Sequence, residues 1–127
     1  MRWLSPGPVP PLAEKVSDRM LVGAIAYVPA LWLYEVVAVV TKAQRNGGVW
    51  QADADRFIYD LRSLEVVVDN QGAGHVFRQV RRLAAEHRLS GYDAAYLELA
   101  IRKGLPLATL DEELRRAAVS TGVTLVG

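Results

Sequence analysis

Short apolar runs alternate along this chain with longer segments in which apolar residues recur every three or four positions. The short runs are typical of buried strands, and the periodic segments are typical of helices with one apolar face. The predicted strands are Ala24–Val28, Glu65–Val68, Pro106–Thr109 and Val123–Val126. Because strands alternate with helices, the pattern predicts a three-layer α/β/α fold with a central parallel sheet.

Six helices fill the segments around these strands, and glycines mark where several of them end. The opening segment Met1–Pro11 contains four of the six prolines, which block both helix and ladder hydrogen bonds. No repeat or internal linker interrupts the pattern, so we expect a single domain over residues 1–127. The predicted helices are Leu12–Val22, Ala30–Arg45, Gln51–Ser63, Gly72–His87, Ser90–Lys103 and Asp111–Ser120.

Composition narrows the function classes without choosing one. The 127 residues carry a net charge of +1 and no cysteine. The missing cysteines exclude disulfides, thiol catalysis and cysteine-ligated zinc, and they are compatible with the cytoplasm, which is the expected location. The apolar run Leu31–Val40 is shorter than the roughly 18 residues that a membrane span needs.

Glu35 is the first candidate for chemistry, because it is the only acidic residue in a helix that is otherwise mostly apolar. The nearest cation along this helix is Lys42, too far to pair with it across one turn. A buried carboxylate costs several kcal/mol unless it is neutralised, paired or bound to a metal. The sequence therefore leaves two alternatives, a metal ligand or a side chain that reaches solvent or an arginine from elsewhere.

Asp93 and Asp111 both lie where a helix begins. Ser90 and Asp93 have the spacing of a capping box, so Asp93 could serve the helix alone or also act as a ligand. Asp111 directly follows the strand Pro106–Thr109, at the edge where α/β folds place their sites, although it could also be only a helix cap. Thr109 offers a hydroxyl for a hydrogen bond to a ligand or a bound water.

The other acidic and imidazole side chains have ordinary explanations. The two histidines have no metal-ligand partner at helical spacing and are expected at the surface. Several aspartates fall on polar faces or turns, where such residues are common: Asp18, Asp53, Asp55, Asp60 and Asp69.

With these residues in view, the chain resembles the PIN-domain ribonucleases, and among them the VapC-type toxins of bacterial toxin–antitoxin pairs. The resemblance is most specific over 89–111, which reads LSGYDAAYLELAIRKGLPLATLD, and it includes VPALWLYEV over 28–36. It implies an α/β/α sandwich with carboxylates gathered around Mg²⁺ or Mn²⁺, and endonucleolytic cleavage of RNA. Glu35, Asp93 and Asp111 match the acidic positions of the family and would be the catalytic, metal-binding residues.

The chain departs from the family pattern at its start. PIN domains open with a short apolar strand that ends in an aspartate, usually followed by Ala-Ser or Thr-Ser, and this strand is not in the sequence. We therefore expect a single domain that lacks the usual first strand. A catalytically inactive or truncated PIN domain that binds other proteins is the alternative, and a small-molecule-binding or phospho-receiver domain is a third possibility.

The resemblance also implies partners, namely an RNA substrate, a cognate antitoxin and a second copy of the chain in a homodimer. Arg78, Arg81 and Arg82 share one face of a predicted helix and could hold RNA phosphates. Their alternative role is a solvated face paired with acidic neighbours. The apolar excess over Leu31–Val40, with its aromatic residues, fits either a dimer interface or a deeply buried helix.

Overall fold

The strands of this protein form one mixed sheet. The computed structural model describes residues 19–21, 26–63 and 65–126, so the predicted segment Met1–Pro11 lies outside the described residues. The strands are β1 (Arg19–Leu21), β2 (Ala26–Pro29), β3 (Val66–Asp69) and β4 (Leu107–Thr109). Their order across the sheet is β3-β2-β1-β4.

The strands predicted from the sequence run in a common direction. β2 and β3 pair in parallel along their whole length, from Ala26 opposite Val66 to Pro29 opposite Asp69. β1 is antiparallel to both β2 and β4, so β2 and β4 point the same way. A parallel bridge joins Leu107 to the last predicted strand. The predicted α/β fold with a parallel sheet is confirmed for these segments.

One local prediction is wrong, and a second is confirmed only in part. Residues 19–21 were expected inside the helix Leu12–Val22, but they form β1 and fill the centre of the sheet; the rest of that helix lies outside the described residues. The backbone groups of β2 and β4 need partners, and this tertiary demand overrides the amphipathic pattern. Val123–Val126 is reduced to a single bridge at Leu125, because only Leu107 of β4 pairs with this segment.

Five helices complete the described fold, close to their predicted bounds. The third, α3, is one continuous helix made of an α-helical start, a π-helical middle and an α-helical end. α4 stops at Gly104, whose φ of 64° is the left-handed cap conformation that glycine adopts readily. The helices are α1 (Leu31–Arg45), α2 (Gln51–Arg62), α3 (Ala73–His75, Val76–Val80 and Arg81–His87), α4 (Gly91–Lys103) and α5 (Glu112–Ser120).

α4 is the central helix of the core. Its Tyr96, Leu97 and Leu99 are fully buried, together with Val28 of β2 and Leu107 of β4. α4 contacts α3, α5 and the strands β1, β2 and β4. Each such apolar side chain stabilises the fold by about 1.5–3 kcal/mol relative to exposure. The core thus fixes α4, and with it the acidic residues that α4 carries.

α1 is buried along one face only. Trp32 and Val36 are in the core, whereas Leu33, Tyr34 and Val37 are exposed. The sequence left a dimer interface or a deeply buried helix as explanations for these apolar residues, and in the structure α1 is not deeply buried. A patch of apolar side chains remains on the surface of α1.

Candidate active site

Glu35 lies in the second turn of α1, half-buried against α4. The hydroxyl of Tyr96, a fully buried α4 residue, donates a hydrogen bond to Glu35 Oε1. This bond links the two helices across the core. The sequence indicated that this carboxylate needs a partner; the structure supplies a phenol, which neither of the two alternatives had named.

Asp93 sits in the first turn of α4 and is only 8% exposed. Its backbone N–H donates to Ser90 Oγ at 3.0 Å, so the predicted N-cap at Ser90 is confirmed. The positive end of the helix dipole favours a carboxylate in this turn. Because Asp93 lies one turn before Tyr96, it shares a side of α4 with the residue that binds Glu35.

Asp111 follows β4 at its carboxyl end and caps α5. Its Oδ2 accepts a hydrogen bond from the backbone N–H of Leu114 at 2.9 Å. The Asp111 N–H in turn donates to the Thr109 hydroxyl at 3.1 Å, and Thr109 is buried. Arg115 also donates to the Thr109 carbonyl oxygen, at 2.9 Å. Thr109 therefore orients the turn that carries Asp111, and the cap role of Asp111 is confirmed.

Whether these residues could bind a divalent metal depends on the oxygen ligands that their side chains offer. Carboxylate oxygens are the ligands that Mg²⁺ prefers, and one or two of them suffice when substrate phosphates complete its shell. In the part of the chain that the structure describes, no three histidine, aspartate or glutamate side chains converge on one point. The donor chemistry of Glu35, Asp93 and Asp111 fits the metal, but a complete three-ligand site is not assembled by the described residues.

A second cluster of charges lies between β3, α3 and α4. Arg102 Nη1 and Nη2 donate to the two carboxylate oxygens of Asp69 at 3.1 and 2.6 Å. Arg102 also donates to both oxygens of Glu98, at 2.9 and 3.1 Å. His75 Nε2 is 2.9 Å from Glu98 Oε2, an ion-pair distance at which hydrogen-bond alignment is not achieved. We call Asp69, Arg102, Glu98 and His75 the α3–α4 charge cluster.

Arg102 governs the electrostatics of this cluster. Its hydrogen bonds hold the pKa of the Asp69 carboxyl below the ordinary value of 3.8, although burial acts in the opposite direction. The same bonds, first to Asp69 and then to Glu98, raise the pKa of Arg102. Both partners are therefore charged throughout the physiological range.

The PIN-domain family model matches residues 10–120 of the chain. This chain belongs to the PIN-domain family. PIN domains are in general nucleases, so membership indicates a nuclease with a nucleic acid as its substrate class. A search of curated proteins found no match.

The predicted RNA-binding arginines of this PIN domain are exposed on α3. Arg78 and Arg81 donate through Nε to the carbonyl oxygens one turn earlier, at 3.2 and 2.8 Å. Arg82 lies 3.4 Å from Glu86, which is the acidic pairing that the sequence offered as an alternative. Glu98, on α4, was a further acidic candidate for pairing with these arginines, and it is bound by Arg102 of its own helix.

Sequence reasoning missed the α3–α4 charge cluster of the PIN domain. The sequence placed Asp69 on a polar face or turn and His75 at the surface, but Asp69 is ion-paired with Arg102 and the Nε2 atom of His75 is buried. Two signals were available: Glu98 and Arg102 are one helical turn apart, and Asp69 follows a predicted strand. Neither signal reveals that the strand end and the helix meet.

Among the described helices of the PIN domain, none has the length and apolarity needed to span a membrane.

Proposed function

We propose that this PIN domain is a metal-dependent endoribonuclease and the toxin of a type II toxin–antitoxin pair. The observation that carries the proposal is the pairing of α1 with α4, which brings Glu35 to the side of α4 that also carries Asp93. The Tyr96 hydroxyl holds the Glu35 carboxylate there, and the Ser90 cap fixes the backbone of the turn that carries Asp93. Because PIN domains are in general nucleases, these carboxylates are the candidates for the catalytic groups of a nuclease.

Each proposed catalytic carboxylate has a residue that positions it. Tyr96 holds Glu35 Oε1, the Ser90 cap fixes the first turn around Asp93, and Thr109 fixes the turn around Asp111. These contacts limit side-chain and backbone motion, which keeps the carboxylates ready for a shared ligand. The carboxylates are the expected holders of Mg²⁺ or Mn²⁺.

A divalent cation, when bound, stabilises charge on the phosphate and lowers the pKa of a coordinated water. The chain itself contributes oxygen donors and excludes bulk water around Asp93, which is buried. The exposed arginines of α3 would hold neighbouring phosphates, an attraction that weakens steeply with salt.

RNA cleavage by the parent and by Glu35→Gln, each with Mg²⁺ and with EDTA, tests this proposal. Glutamine keeps an oxygen that can accept the Tyr96 hydrogen bond, so the fold should persist while a charged ligand is lost. We expect a decrease in rate of roughly 100-fold or more, and no cleavage in EDTA. Asp60→Asn, which changes a half-exposed acid on α2 beside Arg56, is the control and should cut normally. Equal rates for the parent and Glu35→Gln would remove Glu35 from the site.

The toxin assignment needs a cellular measurement. Expression of the parent should stop growth, and Glu35→Gln should relieve the arrest at equal protein level. A cognate antitoxin should bind the protein and block cleavage of RNA in the same assay. Normal growth with the parent, at a level where purified protein cuts RNA, would leave a nuclease without a toxin role.

We also propose a homodimer through the exposed face of α1. Leu33, Tyr34 and Val37 are apolar or aromatic and adjacent on this face, and a cavity of about 360 Å³ lies beside them against β3. Covering such a patch is favourable. Sedimentation at micromolar concentration should show a dimer for the parent and a monomer for Val37→Glu; a monomeric parent would contradict this interface.

A further inference from the structure

A cavity of about 540 Å³ opens between the start of α1, the end of β3 and the helices α3 and α4. Its volume falls in the range of roughly 300–1,000 Å³ that is typical of small-molecule sites. Leu31, one turn before Glu35, and Tyr92, the neighbour of Asp93, both line it. The cavity therefore adjoins the proposed catalytic carboxylates without containing them.

Most of the cavity lining is apolar, and its most buried charged side chains are two carboxylates, which form an acidic floor. Asp69, Glu98 and His75, three members of the α3–α4 charge cluster, line it together with Gln71. The two carboxylates face a single guanidinium, so in this cluster the carboxylates outnumber the arginine. The Asp69 carboxylate stays ionised because Arg102 lowers its pKa. Such a floor accepts hydrogen bonds and repels a phosphate.

The outer end of the cavity has the opposite character. Phe77 and Tyr92 line it although they are 67% and 66% exposed. Arg81 also lines it and is exposed, with its Nε fixed by the Phe77 carbonyl oxygen at 2.8 Å. Aromatic faces stack on nucleobases, and a guanidinium binds phosphate. The π-helical middle of α3 contributes Phe77, and such segments are frequent at functional sites.

We propose that this cavity binds one unstacked nucleobase of the RNA, and that it selects bases with an exocyclic amino group over uracil. The proposal rests on the proposed ribonuclease function, because it assigns a specificity pocket to that substrate. The charges along the cavity match those of a nucleotide. The neutral base would place its hydrogen-bond donors against the acidic floor, and its phosphate would lie beside Arg81. Adenine, cytosine and guanine each carry an exocyclic amino group that can donate to the carboxylates, whereas uracil offers only its ring N3–H.

A basic peptide side chain is the main competitor for the same cavity. It would suit the acidic floor but would have to pass Arg81, which repels it. The two exposed rings favour a flat aromatic ligand, because stacking on a base is available to both. The observations therefore favour RNA, and a protein occupant becomes an outcome of the experiment.

Fluorescence anisotropy with labelled eight-nucleotide RNAs in EDTA tests the pocket without cleavage. One RNA is all uridine, and the others carry a single central adenosine, cytidine or guanosine. We expect the parent to bind the amino-bearing RNAs roughly five-fold or more tightly than the all-uridine RNA. Phe77→Ala and Tyr92→Ala should abolish this preference, and because both rings are largely exposed, both variants should fold. Tyr59→Ala, which removes a ring 72% exposed on α2, is the control and should keep the preference.

Equal affinity of the parent for all four RNAs would overturn the proposal. A preference that survives in both Phe77→Ala and Tyr92→Ala would place the base elsewhere and would also overturn it. Loss of antitoxin binding in these variants, with RNA binding unchanged, would assign the cavity to a protein and not to a base. Cleavage that depends on Glu35 but not on base identity would contradict the base-binding pocket and leave the ribonuclease proposal intact. If the parent shows the base preference and Phe77→Ala loses it, but the parent cuts no RNA, the ribonuclease proposal would be contradicted and the pocket would stand.

Discussion

Replacing Arg102 by methionine should destabilise this protein far more than removal of an ordinary surface arginine. Arg102 is the only cation that the described contacts give to both Asp69 and Glu98. The two carboxylate side chains are 12% and 10% exposed. Methionine keeps most of the apolar stem, so the change isolates the charge.

The expected loss of stability depends on the carboxylates that lose their cation. Removal of one partner from a buried ion pair costs about 3–5 kcal/mol, because a carboxylate then stays buried without compensation. These groups retain some solvent contact, so we expect about 3 kcal/mol, which corresponds to a decrease of about 10 °C in Tm for a chain of this length. Arg82→Met is the control. The Arg82 side chain is 59% exposed beside Glu86, and loss of its guanidinium should cost less than about 0.5 kcal/mol.

The dependence on pH separates the ion pair from packing. The folded-state pKa of Asp69 is depressed, so its contribution is present above the unfolded value near 3.8 and is lost as pH falls through the lower folded value. Arg102→Met has no such contribution to lose. The difference in free energy of unfolding between parent and variant should therefore be largest near neutral pH and should narrow below 3.8.

Urea denaturation of the parent, Arg102→Met and Arg102→Met/Asp69→Asn over this pH range is the assay. The double variant should recover part of the loss, because it removes one orphaned charge. A difference that stays constant from neutral to acidic pH would refute the electrostatic argument and would assign the whole effect to packing of the arginine stem.

Two further predictions concern helix ends. Asp111→Ala should lower the free energy of unfolding by about 1 kcal/mol through loss of the α5 cap, whereas Asp111→Asn should keep the cap and lose RNA cleavage; full cleavage by the asparagine variant would limit Asp111 to capping. Arg88 ends α3 with a φ of 55°, so Arg88→Gly should raise stability by about 0.5–1 kcal/mol in thermal denaturation, and an unchanged or lower Tm would contradict the strain.

Local patterns of residues were enough to predict the periodic elements and the helix starts. Predicted and observed bounds of α1, α2 and α4 agree within a residue or so, because the apolar period and the caps are local properties. Ser90 and Asp111 were identifiable as caps for the same reason, since a cap involves residues three positions apart. Resemblance over 89–111 supplied the family, which the family model confirms.

Contacts between distant segments depend on how the chain packs and could not be predicted from local patterns. β1 took a place in the sheet because its neighbours had unpaired backbone groups, a demand that no local pattern in residues 19–21 expresses. Tyr96 meets Glu35, and Arg102 meets Asp69, only because the core fixes α4 against α1 and β3. Charged side chains find such partners through packing geometry, so their roles can be read from the sequence only where both partners lie on one helix.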